Sequence, residues 1–408
     1  MTQMYDNNRL QQWNDIIDDA IKLRRQLHQS PELRWEEEQT AITIRNLLDK
    51  AGIAWRPCAG TGTIATLAPD ATGRHIGLRG DIDGLPIKEQ SGMDWSSQKD
   101  GLMHACGHDG HTATLIAAAQ WLKANEDELS GPVSLIFQPA EEGGHGAREV
   151  IKDAGTAGVE EIYGWHNWPN FPFGSAVCPD GAVMGANGRF SVEITGSGGH
   201  SSQPDLCKDP VLAAAAITMN LQQIVSRRLP PHTPAVVSVT SIDAPSGRTV
   251  IPDTARLGGS IRAADTTVRD EMNRMIEEIV QDTARSYGVT AAVEAVPHYD
   301  ATVNHAAQAA KMRQALQQEF GEQWQAAGQP MPIMASEDFS YYLNDIPGAF
   351  ALVGANDGEA AHNEPCHSPR YDFNDRLIPI IVRIFSTLVG VTSPDINHSA
   401  HESYERSA

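Results

Sequence analysis

The chain has 408 residues, 41% hydrophobic and 20% charged, a globular balance that fits two or three domains with sizeable cores. Its net charge of −21, from 52 acidic against 31 basic residues, argues against nucleic acid and anionic membrane surfaces as partners. No apolar run approaches the roughly 20 residues that span a bilayer.

Residues 10–28 are helical in pattern, and Pro31 breaks them. A second helix is predicted from Trp35 to Lys50, ending at Gly52 as its C-cap. Short apolar runs follow at 62–68, 75–80, 133–138, 161–165 and 349–354, with helical segments between many of them. That alternation predicts an α/β sheet covered on both faces. Ligands of such sheets sit beyond the carboxyl ends of the strands. Asp81 and Asp83 follow one run, Glu141 and Glu142 another, and His166 a third.

Residues 187–298 have a different rhythm. RFSVEITG alternates apolar and polar positions as a half-exposed strand does. A helix over 210–227, strands near 235–243 and 254–263, a helix over 267–286 and a strand at 289–296 complete the order β-α-β-β-α-β. This is a ferredoxin-like unit that can fold as an insertion. It divides the first domain into 1–186 and 299–391, and a polar tail from 392 to 408 is expected to fray. The N-terminus, MTQMYDNNRLQQWNDIIDDA, lacks the basic start and apolar core of a signal peptide. Five scattered cysteines, Cys58, Cys106, Cys178, Cys207 and Cys366, suit a reducing cytoplasm better than a disulfide framework.

The densest chemistry is MHACGHDGHTATL, 103–115, which holds His104, Cys106, His108 and His111 at the mouth of a helix. Cys106 and His108 flank a glycine, so both side chains can turn to one point, and thiolate with imidazole suits zinc and similar ions. PAEEGGHGA, 139–147, sets two adjacent carboxylates at a strand end. One can bind metal while the other, pointing elsewhere, handles protons. GWHNWPNFPFG, 164–174, puts His166 just past a strand in a loop stiffened by prolines. CHSPRYDFND, 366–375, puts His367 before the last helix, with Asn374 or Asp375 as N-cap. Each histidine alone reads as structural; together with the Cys/His pair they point to a two-metal centre. His104, His111 and His145 read as supporting or helix-entry groups, His362 as a loop residue, and GTGT at 60–63 as a turn.

These stretches, with LRRQLHQSPEL (23–33), LRGDIDGLPI (78–87), GGHSSQP (198–204) and SEDFSYYL (336–343), resemble the M20 family of metallopeptidases and amidohydrolases. The likeness is to the branch of hippurate hydrolases, N-acyl amino acid amidohydrolases and auxin-conjugate hydrolases, and it runs in order along nearly the whole chain. It implies a zinc-peptidase-like catalytic domain with an inserted ferredoxin-like α+β lid domain. By the same resemblance, Cys106, His108, Glu142, His166 and His367 are the ligands of two divalent metal ions per chain. Zinc or manganese comes first, with nickel or cobalt as further candidates. Glu141 matches the general base, His200 the lid histidine that reaches substrate, often across a dimer, and Asp83 a residue that holds the metal site in place. Asp81 stands where aminopeptidase relatives carry a metal-binding histidine. In one departure, Thr249 precedes the IPD of the lid where relatives commonly carry a substrate-touching asparagine, which bears on specificity.

The implied function is metal-dependent hydrolysis of the amide bond of small N-acyl amino acids, by a homodimer or higher homo-oligomer. A two-metal dipeptidase is the nearest alternative. A hydrolase with Cys106 as nucleophile would leave Glu142, His166 and His367 unexplained. A metal-binding protein without turnover would need neither a spare glutamate nor a GGHSSQP lid.

Overall fold

The structure, a computed structural model, describes residues 2–326 and 328–394. The expected tail falls outside the described residues from 395 on. Contacts divide the chain into two units: one runs to Asp180 and resumes at Asn304–Gln329 and from Tyr342, and the other comprises Gly181–Val303 and Pro330–Tyr341.

In chain order, the first unit begins with α1 (Thr2–Gln29), α2 (Glu38–Lys50), β1 (Trp55–Cys58), β2 (Gly62–Leu67) and β3 (Ile76–Asp81). There follow α3 (His108–Ala124), β4 (Val133–Gln138), α4 (Glu141–Gly144), α5 (Gly146–Lys152), β5 (Glu161–Pro172) and β6 (Ala176–Val177). The second unit carries β7 (Gly181–Met184), β8 (Ala186–Thr195), β9 (Gly199–His200), α6 (Pro210–Leu221) and β10 (Ala235–Asp243). It continues with β11 (Val250–Ile251), β12 (Thr254–Ala263), α7 (Thr266–Ser286) and β13 (Thr290–Pro297). Then come β14 (Thr302–Asn304), α8 (Ala306–Phe320), α9 (Ser340–Asp345), β15 (Gly348–Asn356) and α10 (Leu377–Val389).

The first unit is built on a seven-stranded sheet in the order β1-β2-β4-β3-β5-β15-β6. Its centre, β4-β3-β5-β15, is parallel. VSLIFQ of β4 is buried at every position, as a strand covered on both faces must be. Helix α3 is buried on almost every side between α1 and α10, where Trp13 meets Trp121 edge-on at 5.0 Å.

The chain order reverses at β3. Its successor β4 lies on one side of it and β5 on the other. The β3–β4 ladder continues to Asp81↔Gln138, but the β3–β5 ladder stops at Leu78↔Tyr163. Beyond that pair the two strands are no longer hydrogen-bonded to each other, at the carboxyl ends where such sheets bind ligands.

His166 belongs to a strand, not to the loop expected from its prolines. Beyond Tyr163, β5 keeps only its β15 partner among the described residues, with Leu352↔His166 in register. A strand paired on one side tolerates the missing donors of Pro169 and Pro172. The last helix likewise begins beyond the expected caps, at Leu377. Asn374 donates to Ala355 O and Asp357, and Asp375 pairs with Arg25.

The second unit has a four-stranded antiparallel sheet, β10-β12-β8-β13. With chain order β8-α6-β10-β12-α7-β13, this is the ferredoxin-like arrangement. Phe190, Val192 and Ile194 alternate inward from β8 against Ile217 and Leu221 of α6 and Ile276 and Val280 of α7. Asp209 and Asp265 cap the two helices through Val211 N and Val268 N. Helix α6 ends earlier than its pattern suggested, and a π-helical turn takes over at Ile224–Arg228. A two-stranded ribbon of β9 and β11 carries His200.

Candidate metal centre

Gly107 makes the turn between the two central ligand candidates. Its φ is 96°, and a Cβ there would stand 2.4 Å from Asn167 Oδ1 and 2.6 Å from Tyr371 OH, so no other residue fits. The turn presents Cys106 on one side and His108, first residue of α3, on the other. His108 Nδ1 donates to Asp83, 3.0 Å from its carbonyl and 3.1 Å from Oδ1. That leaves Nε2 buried without a hydrogen-bond partner. His166 Nδ1 donates to Asn167 O at 2.7 Å, which turns the Nε2 lone pair to the Cys106 thiol, 3.3 Å away. His367 donates its N–H to Ala105 O at 2.7 Å, tying its loop to the Cys106 turn, and its Nε2 lies 3.2 Å from Glu142 Oε1.

The two glutamates leave β4 through a sharp turn. Ala140 is left-handed (φ 54°), and Glu142 (ψ 66°) and Gly143 (φ 77°) break the helix that α4 would otherwise continue. Asp83 holds both glutamate amides: Oδ1 accepts from Glu141 N at 3.1 Å and Oδ2 from Glu142 N at 2.9 Å. One carboxylate therefore orients His108 and anchors the turn that carries Glu141 and Glu142. Cys106, His108 and His166 bring donor atoms within 4.8 Å of one another, as do Cys106, Glu142 and His367, and His108, Glu141 and Glu142. All five ligand candidates, the candidate base and Asp83 thus meet in the first unit.

A buried chain of hydrogen bonds lies behind them. His111 Nδ1 faces Asp81 Oδ1 at 2.6 Å and its Nε2 faces Asn167 Oδ1 at 2.8 Å. Asn167 Nδ2 donates to Tyr371 OH at 2.7 Å, and Arg79 donates to Asp81 Oδ2 at 2.6 Å. Both ring nitrogens of His111 and both oxygens of Asp81 thus face hydrogen-bond partners, although Asp81, His108 and His111 also bring donor atoms within 4.8 Å of one another. Sequence reasoning missed Arg24 and His28, which hold Asp109 of α3 at 3.0 and 2.8 Å. Their spacing in LRRQLHQSPEL, one helical turn apart on a helix packed against α3, was the available signal. His145 (φ 59°) enters α5, His362 binds Asp357 at 2.8 Å, and burial pushes buried His104 down to about 4.

The electrostatics fit a divalent cation. Burial pulls the His108 imidazole down, but Asp81 and Asp83 outweigh it and push it up to about 10. Burial and the neighbouring His111 hold His166 well below its usual range, as the neutral ligand form. The hydrogen bond with Cys366, then burial, push the Cys106 thiol well above its usual range. A buried thiol and carboxylates crowded round an imidazole nitrogen that makes no hydrogen bond and lies 3.5 Å from Asp81 Oδ2 are a donor set that a divalent ion would satisfy.

His200 stands on the β9–β11 ribbon of the second unit. Its Nδ1 accepts from Ser202 N at 3.2 Å and lies 2.7 Å from Ser202 Oγ, so the ring proton sits on Nε2. Thr249 accepts from Ser201 N at 2.9 Å through its carbonyl oxygen, which sets it beside the His200 motif.

Thiol, imidazole and carboxylate donors gathered at the switch point of a mixed parallel sheet, with a spare glutamate beside them, define a metallohydrolase. The chain belongs to peptidase family M20/M25/M40, whose family model matches residues 77–390. It is 39% identical over 346 residues to N-acetyl-L-cysteine deacetylase of Bacillus subtilis (strain 168), covering 85% of this chain and 82% of that protein. Hippurate hydrolase of Campylobacter jejuni is 33% identical over 370 residues, covering 89% and 94%. The crystal structure of Bacillus subtilis YXEP protein, a dinuclear metal binding peptidase from the M20 family, matches with a TM-score of 0.79 at 32% identity, covering 92% of this chain and 98% of that one. The resemblance carried by the motifs and the fold class both hold.

Proposed function

We propose that the protein is a metal-dependent amidohydrolase that cleaves the amide bond of N-acyl amino acids to a carboxylic acid and a free amino acid. The observation that carries this is the convergence of Cys106, His108, Glu142, His166 and His367 with Glu141 beside them. The relatives named for N-acetyl-L-cysteine and hippurate support the substrate class. The five ligands would hold two divalent ions, zinc or manganese by their mix of soft and hard donors, with nickel or cobalt as alternatives. Such ions polarise an amide carbonyl and lower the pKa of water.

Glu141 takes the proton of the attacking water and returns it to the departing amine as the C–N bond breaks. Asp83 keeps the Glu141 backbone in place. His200, with its proton on Nε2, is a hydrogen-bond donor for the tetrahedral oxyanion from the lid. Cys106 shares its donor groups with His108 and His166 and with Glu142 and His367, residues that a cysteine nucleophile would leave without a role, so the metal reading is favoured over the nucleophile.

The partner we propose is a second copy of the chain, docked on the lid. Strand β10 is a sheet edge with Val236 and Ile242 exposed, and α6 exposes Val211, Leu212 and Met219. An uncovered edge beside an apolar helix face is a liability that self-pairing removes. The five free thiols suit a cytoplasmic setting.

The test is a screen of acetyl-, benzoyl- and indoleacetyl-amino acids against dipeptides, with defined metals. Hydrolysis of N-acyl amino acids is expected. Cleavage confined to dipeptides would replace the proposal with a dipeptidase, and tight metal binding with no turnover would leave a metal-binding protein. His200→Ala is expected to keep its metal and lose about 10²–10³-fold in kcat, the cost of an oxyanion donor. If His200 acts across the dimer, mixing that variant with a metal-site variant restores part of the activity. A verified mixed dimer without recovery would confine His200 to its own chain.

A further inference from the structure

Three consecutive glutamates, Glu36, Glu37 and Glu38, lead into α2, and Glu37 alone is buried, fully so. Glu37 occupies the N-cap position of α2, yet its carboxylate does not cap that helix. Glu32 does so instead, accepting from Gln39 N at 3.0 Å and Thr40 N at 2.9 Å. The Glu37 side chain is thereby free to reach the turn after β4. There its Oε1 accepts from Ala140 N at 2.8 Å, while Oε2 accepts from Thr61 Oγ1 at 2.6 Å. Burial pushes this carboxyl up to about 7, against the lowering by the Thr61 hydrogen bond. A carboxyl so deeply buried is costly unless its acceptors are used, and both are.

What they hold matters. Ala140 is left-handed (φ 54°, ψ 45°), a conformation that a residue with a Cβ adopts at a cost. The next two amides, Glu141 N and Glu142 N, are held by Asp83. Two carboxylates from separate parts of the chain therefore secure three successive N–H groups, and the one taken by Glu37 directly precedes Glu141. We propose that Glu37 is a positioning residue, whose hydrogen bond to Ala140 N fixes the left-handed turn that aims the Glu141 carboxylate. This rests on the reading of Glu141 as the base.

In the metal-loaded full chain, Glu37→Ala is expected to lower kcat by about 10–100-fold, the scale of a small misplacement of a catalytic group. KM and metal stoichiometry stay near the parent values. Deuterium uptake in the peptide covering 139–143 becomes faster, in metal-loaded and metal-free protein alike. Glu37→Gln keeps a carbonyl oxygen for Ala140 N–H, and Thr61 Oγ1 can accept from its amide, so it restores both kcat and slow exchange. Thr61→Val, which leaves the helix N-terminus untouched, moves both readouts the same way by a smaller factor and supplies folded protein should Glu37→Ala not fold. Parental exchange at 139–143 in Glu37→Ala or Thr61→Val overturns the proposal. So does a fall in Glu37→Gln as deep as in Glu37→Ala. Failure of the base assignment is read separately, from full turnover in Glu141→Gln, whereas exchange at 139–143 reports the Glu37 hydrogen bond whatever Glu141 does.

Discussion

Glu141→Gln is expected to keep its metal, bind substrate and lose turnover by at least the ~10²–10⁴-fold typical of general acid–base catalysis, whereas Glu142→Gln loses metal. The two glutamates are neighbours on one turn, but their surroundings differ. Glu142 shares its donor group with Cys106 and His367, with His367 Nε2 3.2 Å away. Burial raises the Glu142 carboxyl, and His367 and His108 outweigh that to bring it below its ordinary value, so it stays charged, as a ligand must. A base needs only to accept a proton, and both proton steps pass through the one group, so the loss at Glu141 exceeds that of a single transfer. Metal analysis beside a rate measurement on each variant decides the assignment. A metal-depleted Glu141→Gln with a metal-replete, inactive Glu142→Gln would reverse the two roles.

Asp81, Asp83, Glu141, Glu142 and His166 were legible because they follow apolar runs, whose ends a buried parallel sheet delivers to one side. Asp81, Asp83, Glu141 and Glu142 could be placed this way before any contact was known. Cys106, His108 and His367, by contrast, were legible from their residue types just ahead of a helix. The βαββαβ order was legible for a similar reason: RFSVEITG declares its inward face by alternation, and α7 is strongly amphipathic. What the sequence hid depends on pairing between distant segments. His166 looks like a loop residue because Pro169 and Pro172 deny β5 two donors, and only the early end of the β3–β5 ladder makes those donors unnecessary. Glu37 looks like one of three solvated glutamates, because the capping of α2 by Glu32 leaves no local trace. His111 could be placed near the site but not assigned its partners, since Asp81, Asn167 and Tyr371 come from three separate segments.

Removing the Cys106 thiol should have an effect as large as removing the Glu141 carboxylate, by a different route. Cys106→Ser is expected to lower metal affinity by more than the ~10–100-fold that loss of a supporting residue costs, because a serine hydroxyl stays neutral where the metal takes a thiolate. Cys58→Ser should leave metal binding unchanged, since its sulfur lies 3.8 Å from Val150 O, in a packed region away from the ligands. The hydrogen bond with Cys366 and burial hold the Cys106 thiol protonated, so metal uptake must expel that proton, and affinity should rise with pH. Chelation should abolish hydrolysis until metal is restored. These measurements also settle the rival use of Cys106. A nucleophile variant would be inactive while its metal content stayed at the parent level, and a nucleophilic enzyme would survive chelation. A ligand variant loses metal and activity together, and added metal at high concentration recovers part of the rate. Full activity in rigorously metal-free protein would remove the metal centre from the reaction altogether.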